Sequence, residues 1–495
     1  MAQIETVDVV DEGLTLAVVK KRAVSGILAL TSRNFILQGI NLVSLAFFSA
    51  LFVKEVFGVY YIVLAIRGFL SYFSDIGLAA ALIQKKENVT SEELETTFLV
   101  QQLLVISLVI IGFAATPFLS SWQKITGPGV YLLWSFYTAF FLSSLKTIPS
   151  VLLERKLEFT RLIIPQILEA AVFNGLTIFL ALRGLGILSL AYAVLAQSIV
   201  GLVSTYILQP WKPGFMFSTR ALKGLFKFGV PYQLNTFLAV IKDDGLTIFL
   251  GGLLGPSGIG LLLWAKKWGE APLKFFMDMV IKVTFPAFAR LQDNRQELES
   301  ALSRSIFFIS LLVFPSIVGL VLVAPILLQI IERYKQWQPA ILALALFGAH
   351  AGFAAVSTPL TNMLNATGKI KTTFKLMIAW VVSTWLLVPF FGAKFGFNGA
   401  ALGYLLVEAV SVVAIWFGYR AVHFNFFYSV VKPMLAAMMM GIFVRLSILI
   451  VPHNMLGVLI LVLSGLAVYV LLIFLLVGPS IAQDTRKVFN AILKK

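Results

Sequence analysis

Apolar stretches of about 20 residues recur along this chain, and a helix of that length matches the ~30 Å hydrocarbon core of a bilayer. LLVISLVIIGFAATPFL (103–119), ILSLAYAVLAQSIVGLVSTYIL (187–208) and MLGVLILVLSGLAVYVLLIFLLV (455–477) are examples, and short polar loops separate them. In lipid every backbone N–H and C=O must find a partner within the protein, so a span is a helix or a strand of a closed barrel. Barrel strands alternate polar and apolar residues, and these stretches do not. With 59% hydrophobic and 13% charged residues and a mean hydropathy of +0.93, too little polar surface is left to coat a soluble body of 495 residues.

The expected fold is an all-α integral membrane protein with about fourteen transmembrane helices, the first near 23–53 and the last near 455–478. A tail over 1–22 precedes them and ends in Lys20-Lys21-Arg22. It has no apolar core of its own, so the first span is expected as a retained anchor. Most loop Lys and Arg fall on the side of the N-terminus, which puts both termini in the cytoplasm. The net charge of +16 then follows from membrane orientation, and nucleic acid is not expected as a partner. Cysteine is absent, and His350, His423 and His453 have no metal-ligand spacing.

Between the expected sixth and seventh spans, WKPGFMFSTRALKGLFKFG (211–229) intersperses Phe217, Leu222, Leu225 and Phe226 with Arg220, Lys223 and Lys227. Such a basic amphipathic segment is expected to lie along the cytoplasmic membrane surface. It divides the chain into a tail (1–22), a first six-helix lobe (23–210), a linker (211–227), a second lobe (228–420) and a final pair of spans with a tail (421–495). Residues 31–86 and 233–288 align as a weak repeat: a long helix, a tight turn at Phe57-Gly58 or Ile259-Gly260, and a second long helix. Repeated halves are common in secondary transporters, with the substrate path between them.

The charges inside the spans carry the functional expectation. At 1.5 Å per residue, Arg33 with Asn34 beside it lies about 15 Å into the first span, and Arg67 about 16 Å into the second. Lys242, Asp243 and Asp244 fall at a depth similar to that of Lys266 and Lys267 on the following helix, where ion pairs could form. From Lys267 the stripe continues through Glu270, Lys274, Asp278 and Lys282 on one helical face. A charge at the bilayer centre costs at least about 2.5–3.5 kcal/mol, so these faces must border water, one another or a polar ligand. A salt-bridge network joining helices is one reading. A hydrated cavity accepting an anion is preferred, because apolar residues can replace a purely structural network. Asp243, Asp244, Glu270, Glu169 and Glu408 are candidates for a coupling proton or sodium ion, Glu169 and Glu408 equally for neutral, hydrogen-bonded acids. Asp75 is expected to cap or pair locally, and Lys146 to snorkel.

No GxxxxGK[ST] loop is present; NATGKIK (365–371) lacks the spacing and the hydroxyl. The outer loops are short, and the Asp243-Asp244 pair lies within a span. Both observations weigh against a membrane glycosyltransferase or polymerase, so neither a catalytic residue nor a metal is expected.

FGVYYIVLAIRGFLSYFSDIGLAAALIQKKENVTSEEL (57–94), and SDIGLAAALIQKK (74–86) within it, resembles the polysaccharide transporter family, the O-antigen-flippase-like branch of the multidrug/oligosaccharidyl-lipid/polysaccharide flippase superfamily. LERKLEF (153–159), FPAFARLQDN (285–294), NATGK (365–369) and FGFNGAALGY (395–404) resemble later elements of that family in order. The resemblance implies two six-helix lobes around a central cavity, lined by the first, second, seventh and eighth helices, and alternating access for a lipid-linked sugar. The substrate expected is an undecaprenyl-diphosphate-linked oligosaccharide moved across the bacterial cytoplasmic membrane, with no cofactor beyond a coupling H+ or Na+. Membrane lipids, a polysaccharide polymerase and a chain-length regulator are the expected partners. Arg33 and Arg67 are the candidates for diphosphate contact, because guanidinium holds phosphate oxygens bidentately. A cation-coupled drug exporter of the same superfamily is the alternative.

Overall fold

A computed structural model describes residues 16–478, all of whose regular elements are helical. Part of the expected N-terminal tail (1–15) and the C-terminal tail beyond 478 lie outside the described residues. The chain divides into two compact units, Met1–Gly260 and Leu261–Lys495.

In the first unit the helices are α1 (Leu16–Leu51), α2 (Lys54–Tyr72), α3 (Leu78–Gln84), α4 (Ser91–Gln123), α5 (Pro128–Ser144), α6 (Thr147–Arg155), α7 (Phe159–Leu182), α8 (Ile187–Leu208) and α9 (Thr219–Val240). A π-helical turn, Ile241–Gly245, joins α9 to α10 (Leu246–Leu291), whose residues up to Gly260 belong to this unit. α5 and α6 meet at a 43° bend. The start of α4 is signalled by TSEE: Thr90 accepts from the Glu93 amide, and the Glu93 carboxylate accepts from the Thr90 amide, a capping box.

The second unit contains the rest of α10, α11 (Arg295–Ile330), a 3-10 turn (Glu332–Ala340), α12 (Ile341–Ala366), α13 (Ile370–Ala421), a π turn (Phe427–Val431), α14 (Lys432–Ser447) and α15 (Met455–Val477). α14 and α15 pack on α11 through Ile326, Met440, Val444 and Leu461, and the Tyr469 hydroxyl donates to the Leu311 carbonyl at 2.8 Å. Trp264 stacks on the fully buried Trp337 with centroids 5.2 Å apart.

Among the described residues eleven helices are long and apolar enough to cross a membrane, or twelve if α5 and α6 form one bent span. Two of these helices, Phe237–Asp278 (42 residues) and Ile370–Ala421 (52 residues), are far longer than one span needs. A straight helix of either length would overrun a ~30 Å core about twofold. Neither is straight: Gly255 (φ 69°) interrupts the first, and Phe395 with Gly396 (φ 63°) the second. Phe57-Gly58 and Ile259-Gly260, expected as tight turns, are helical, and the two long helices break instead at Gly255 and Gly396. Glycine takes the left-handed backbone there at no steric cost.

Between helices in lipid there is no hydrophobic drive, so close contact depends on small residues. A Cβ on Gly58 would collide with the backbone of Pro256 and Gly260, and one on Gly260 with the backbone of Lys54 and Gly58. The glycines paired by the weak repeat therefore touch each other from within helices. Gly399 and Gly403 likewise allow the second half of α13 to lie against the Leu387–Phe391 backbone of its first half.

The linker differs from a free amphipathic segment. Residues 210–218 are not helical; Met216 N–H donates to Glu95 Oε2 at 3.0 Å, and Ser218 N–H to Thr96 Oγ1 at 3.0 Å. From Thr219 a continuous helix runs on, and Leu225, with Leu222 and Phe226, packs on Leu78, Leu82 and Phe98. The apolar face expected on the membrane surface is thus partly covered by α3 and α4, because Gly77 and Gly229 let α3 and α9 approach backbone to backbone. Phe217 stays 53% exposed.

Candidate functional site

In the first unit the Arg33 guanidinium donates through Nε (3.1 Å) and Nη2 (2.8 Å) to Asn34 Oδ1, and through Nη1 (2.8 Å) to Gln166 Oε1 on α7. These acceptors are neutral amides, so they orient the guanidinium without cancelling its charge. Glu154, at the end of α6, is a carboxylate within electrostatic reach of it. Gln166 was not expected from sequence; a glutamine inside a span, one turn after Leu162, is the signal that could have found it.

Arg67 lies on α2 with its Cζ 5.9 Å from the Phe136 ring, and Glu169 acts on it electrostatically. Glu169 itself forms an ion pair with Lys146 at the α5–α6 bend, in the space left by Gly201, where a Cβ would displace its carboxylate. Lys146 therefore turns to a partner inside the unit, and the snorkelling reading is set aside.

Lys242, Asp243 and Asp244 occupy the π turn, a distortion that inserts one residue into the helix and turns neighbouring side chains to a new face. Lys242 Nζ pairs with Asp243 Oδ1 at 3.0 Å, while the Asp244 carboxylate lies against Gly68, one residue beyond Arg67.

In the second unit the stripe on α10 is uneven. Glu270 is 6% exposed, Lys266 and Lys267 are half-buried, and Lys274, Asp278 and Lys282 are exposed. Lys274 Nζ reaches back one turn to Glu270 Oε2 at 2.8 Å, and Lys266 Nζ stands 4.4 Å from the Tyr404 ring centroid. Behind Glu270 lies a group that the sequence did not suggest. His350 on α12 places Nε2 3.9 Å from Glu270 Oε1 and Nδ1 2.5 Å from Glu408 Oε1 on α13. Glu408 is 4% exposed. The three histidines are scattered in sequence, which hid this one. The available signal was that His350 is the single titratable residue of the apolar run 341–366.

The stretches that carry the family resemblance are turns and caps. Asp75 accepts from the amides of Gly77 (3.1 Å) and Ala79 (3.2 Å), capping α3 after Ile76 and Gly77 enter the left-handed region. Arg155, from LERKLEF, donates to the carbonyls of Leu82 (2.5 Å), Lys85 (2.8 Å) and Glu87 (3.0 Å) at the other end of that helix. In NATGK, Gly368 (φ 77°) reverses the chain after α12, and Asn365 Oδ1 accepts from the Thr373 hydroxyl at 2.6 Å.

Known proteins place this architecture. Lipopolysaccharide biosynthesis protein WzxC of Escherichia coli (strain K12) is 23% identical over 407 residues, covering 80% of this chain and 81% of its own. Succinoglycan biosynthesis transport protein ExoT of Rhizobium meliloti (strain 1021) is 23% identical over 414 residues, covering 82% and 83%. The lipid II flippase MurJ in an inward closed conformation has a TM-score of 0.74 at 17% identity, covering 91% of this chain and 98% of MurJ. An inward-facing multidrug resistance MATE family transporter gives 0.58 at 17% identity, covering 80% and 97%. At such identity these structural likenesses speak for the fold alone. The family of polysaccharide biosynthesis proteins matches by its sequence pattern over residues 49–342, and this multi-pass membrane chain is a member of that family.

Proposed function

We propose that this protein moves an undecaprenyl-diphosphate-linked oligosaccharide from the inner to the outer leaflet of a bacterial cytoplasmic membrane, by alternating access, for export of a surface polysaccharide. Family membership over 49–342 carries this reading. The names of WzxC and ExoT, from lipopolysaccharide and succinoglycan biosynthesis, agree with it, and ExoT is named a transport protein. It is a transporter and not an enzyme.

Arg33 and Arg67 receive the diphosphate near the membrane midplane, where each added phosphate oxygen meets a planar, always charged donor. Lys242, Lys266, Lys267, Lys274 and Lys282 give the substrate path its positive field, and Asp243, Asp244, Glu270 and Asp278 keep the empty path from excess charge. Both termini face the cytoplasm, and a polymerase with its chain-length regulator takes the product on the outer side. A drug exporter is less well supported, since the likeness to a MATE transporter is one of fold alone.

The test is a deletion strain complemented with the parent, Arg33→Ala, Arg67→Ala or Lys274→Ala. Surface polysaccharide and lipid-linked intermediate are measured together. The variants are expected to insert normally, lose polysaccharide and accumulate the intermediate. Export equal to the parent's in all three would rule these cations out.

A further inference from the structure

We propose that Glu270, His350 and Glu408 form a proton-binding site linked to anion binding at Lys274. The chain takes up a proton when an anion settles on Lys274 and gives it back when the anion leaves.

A neutral imidazole has one N–H, yet His350 faces two carboxylates, with Nδ1 2.5 Å from Glu408 Oε1 and Nε2 3.9 Å from Glu270 Oε1. One proton serves one of them; a second gives an imidazolium whose positive charge faces both carboxylates. Glu408 Oε2 is buried without a hydrogen-bond partner, so the group has room for a further proton.

The groups set around His350 come from α10, α11, α12 and α13. α10 brings Lys266, Glu270 and Lys274; α13 brings Glu408 and the Tyr404 ring, 6.2 Å from the imidazole. α11 approaches the adjoining Gly348 with apolar Ile317 and Val321, and α12 contributes Phe347.

With His350 neutral, Glu270 and Glu408 balance Lys266 and Lys274. Lys266 is held over the Tyr404 ring, whereas the Lys274 side chain is 60% exposed while still paired with Glu270 at 2.8 Å. Lys274 thus connects the buried group to the accessible face. An anion that draws Lys274 away leaves two buried carboxylates against one lysine, and an unpaired buried charge is costly. A proton from water, bound by His350 Nε2 or by Glu408, restores the balance. Linkage is reciprocal, so anion binding tightens as pH falls. The identity of the anion as a diphosphate rests on the function proposed above.

The full-length protein in lipid nanodiscs would be titrated calorimetrically with undecaprenyl diphosphate and, separately, with inorganic pyrophosphate. Two buffers of different ionisation enthalpy give the protons taken up per anion bound. The parent is expected to take up protons with either probe if the headgroup suffices, or with the lipid alone if the chain must be anchored. H350Q, and independently the isosteric E408Q, should still bind but with uptake reduced to background. Binding by the parent without uptake overturns the proton site and leaves the diphosphate reading intact, as does uptake unchanged in both variants. Absence of binding by either probe at every pH overturns the diphosphate reading and the linkage together.

Discussion

Arg155 shows what a family motif can be made of. Its guanidinium closes the C-terminal end of α3 on three carbonyls, and Asp75 closes the N-terminal end on two amides. Hydrogen bonds to charged groups contribute about 1.5–3 kcal/mol each. Arg155→Ala is therefore expected to lower the unfolding midpoint of the detergent-solubilised protein clearly, and Arg155→Lys less so, with export falling only as far as folded protein is lost. An unchanged midpoint in Arg155→Ala would deny the cap its weight. Arg33 should behave in the opposite way: its partners are exposed to change without loss of a cap, so Arg33→Lys should insert and melt like the parent but export less, since an ammonium cannot grip Asn34 and Gln166 as a fork. Asp75 was legible because it stands near the cytoplasmic end of the second span, where a carboxylate is expected to cap or pair locally. His350 was not, because its meaning comes from Glu270 and Glu408 on two other helices.

At the level of elements, long apolar spans announced themselves, while the positions of the turns and the way helices are distorted did not. No periodicity distinguishes five residues of π helix from five of α helix, yet Ile241–Gly245 decides where Asp243 and Asp244 point. Deleting Ile241 would convert the turn to α helix and rotate what precedes it relative to the two aspartates by about 100°. The expected outcome is a variant that inserts normally and exports poorly; full export would show that the distortion has no functional part. The Gly58–Gly260 crossing makes a sharper structural claim. Gly58→Leu is expected to reduce the yield of folded protein strongly, whereas Leu at the uncrowded Gly175 should be tolerated, with monodispersity in size-exclusion chromatography as the measure. Part of the linker's packing was hidden for a similar reason. Its sequence shows an apolar face, but only the glycine pair at 77 and 229 reveals that protein covers part of it.

For the whole molecule, hydropathy identifies a membrane chain of many helices, and breaks at Gly255 and Gly396 interrupt its two longest helices. The chain contains no cysteine, so single introduced cysteines can map it directly. Positions 124, 183, 257 and 394 are expected to react with an impermeant maleimide on intact cells, and positions 87 and 365 only after permeabilisation. A reversed pattern would overturn the orientation drawn from the basic loops. Substrate chemistry was less legible than topology, because the recognisable motifs are turns and caps while the charged side chains acquire partners only through folding. The most direct measurement is translocation itself. Purified protein would be reconstituted in liposomes containing undecaprenyl-diphosphate-linked oligosaccharide, with accessibility of the sugar to an added glycosidase followed over time. The sugar pool protected inside should become accessible with the parent and remain protected with Arg33→Ala and with protein-free liposomes. A protected pool that stays closed in the presence of correctly folded parent, given its own lipid-linked sugar, would contradict the flippase account.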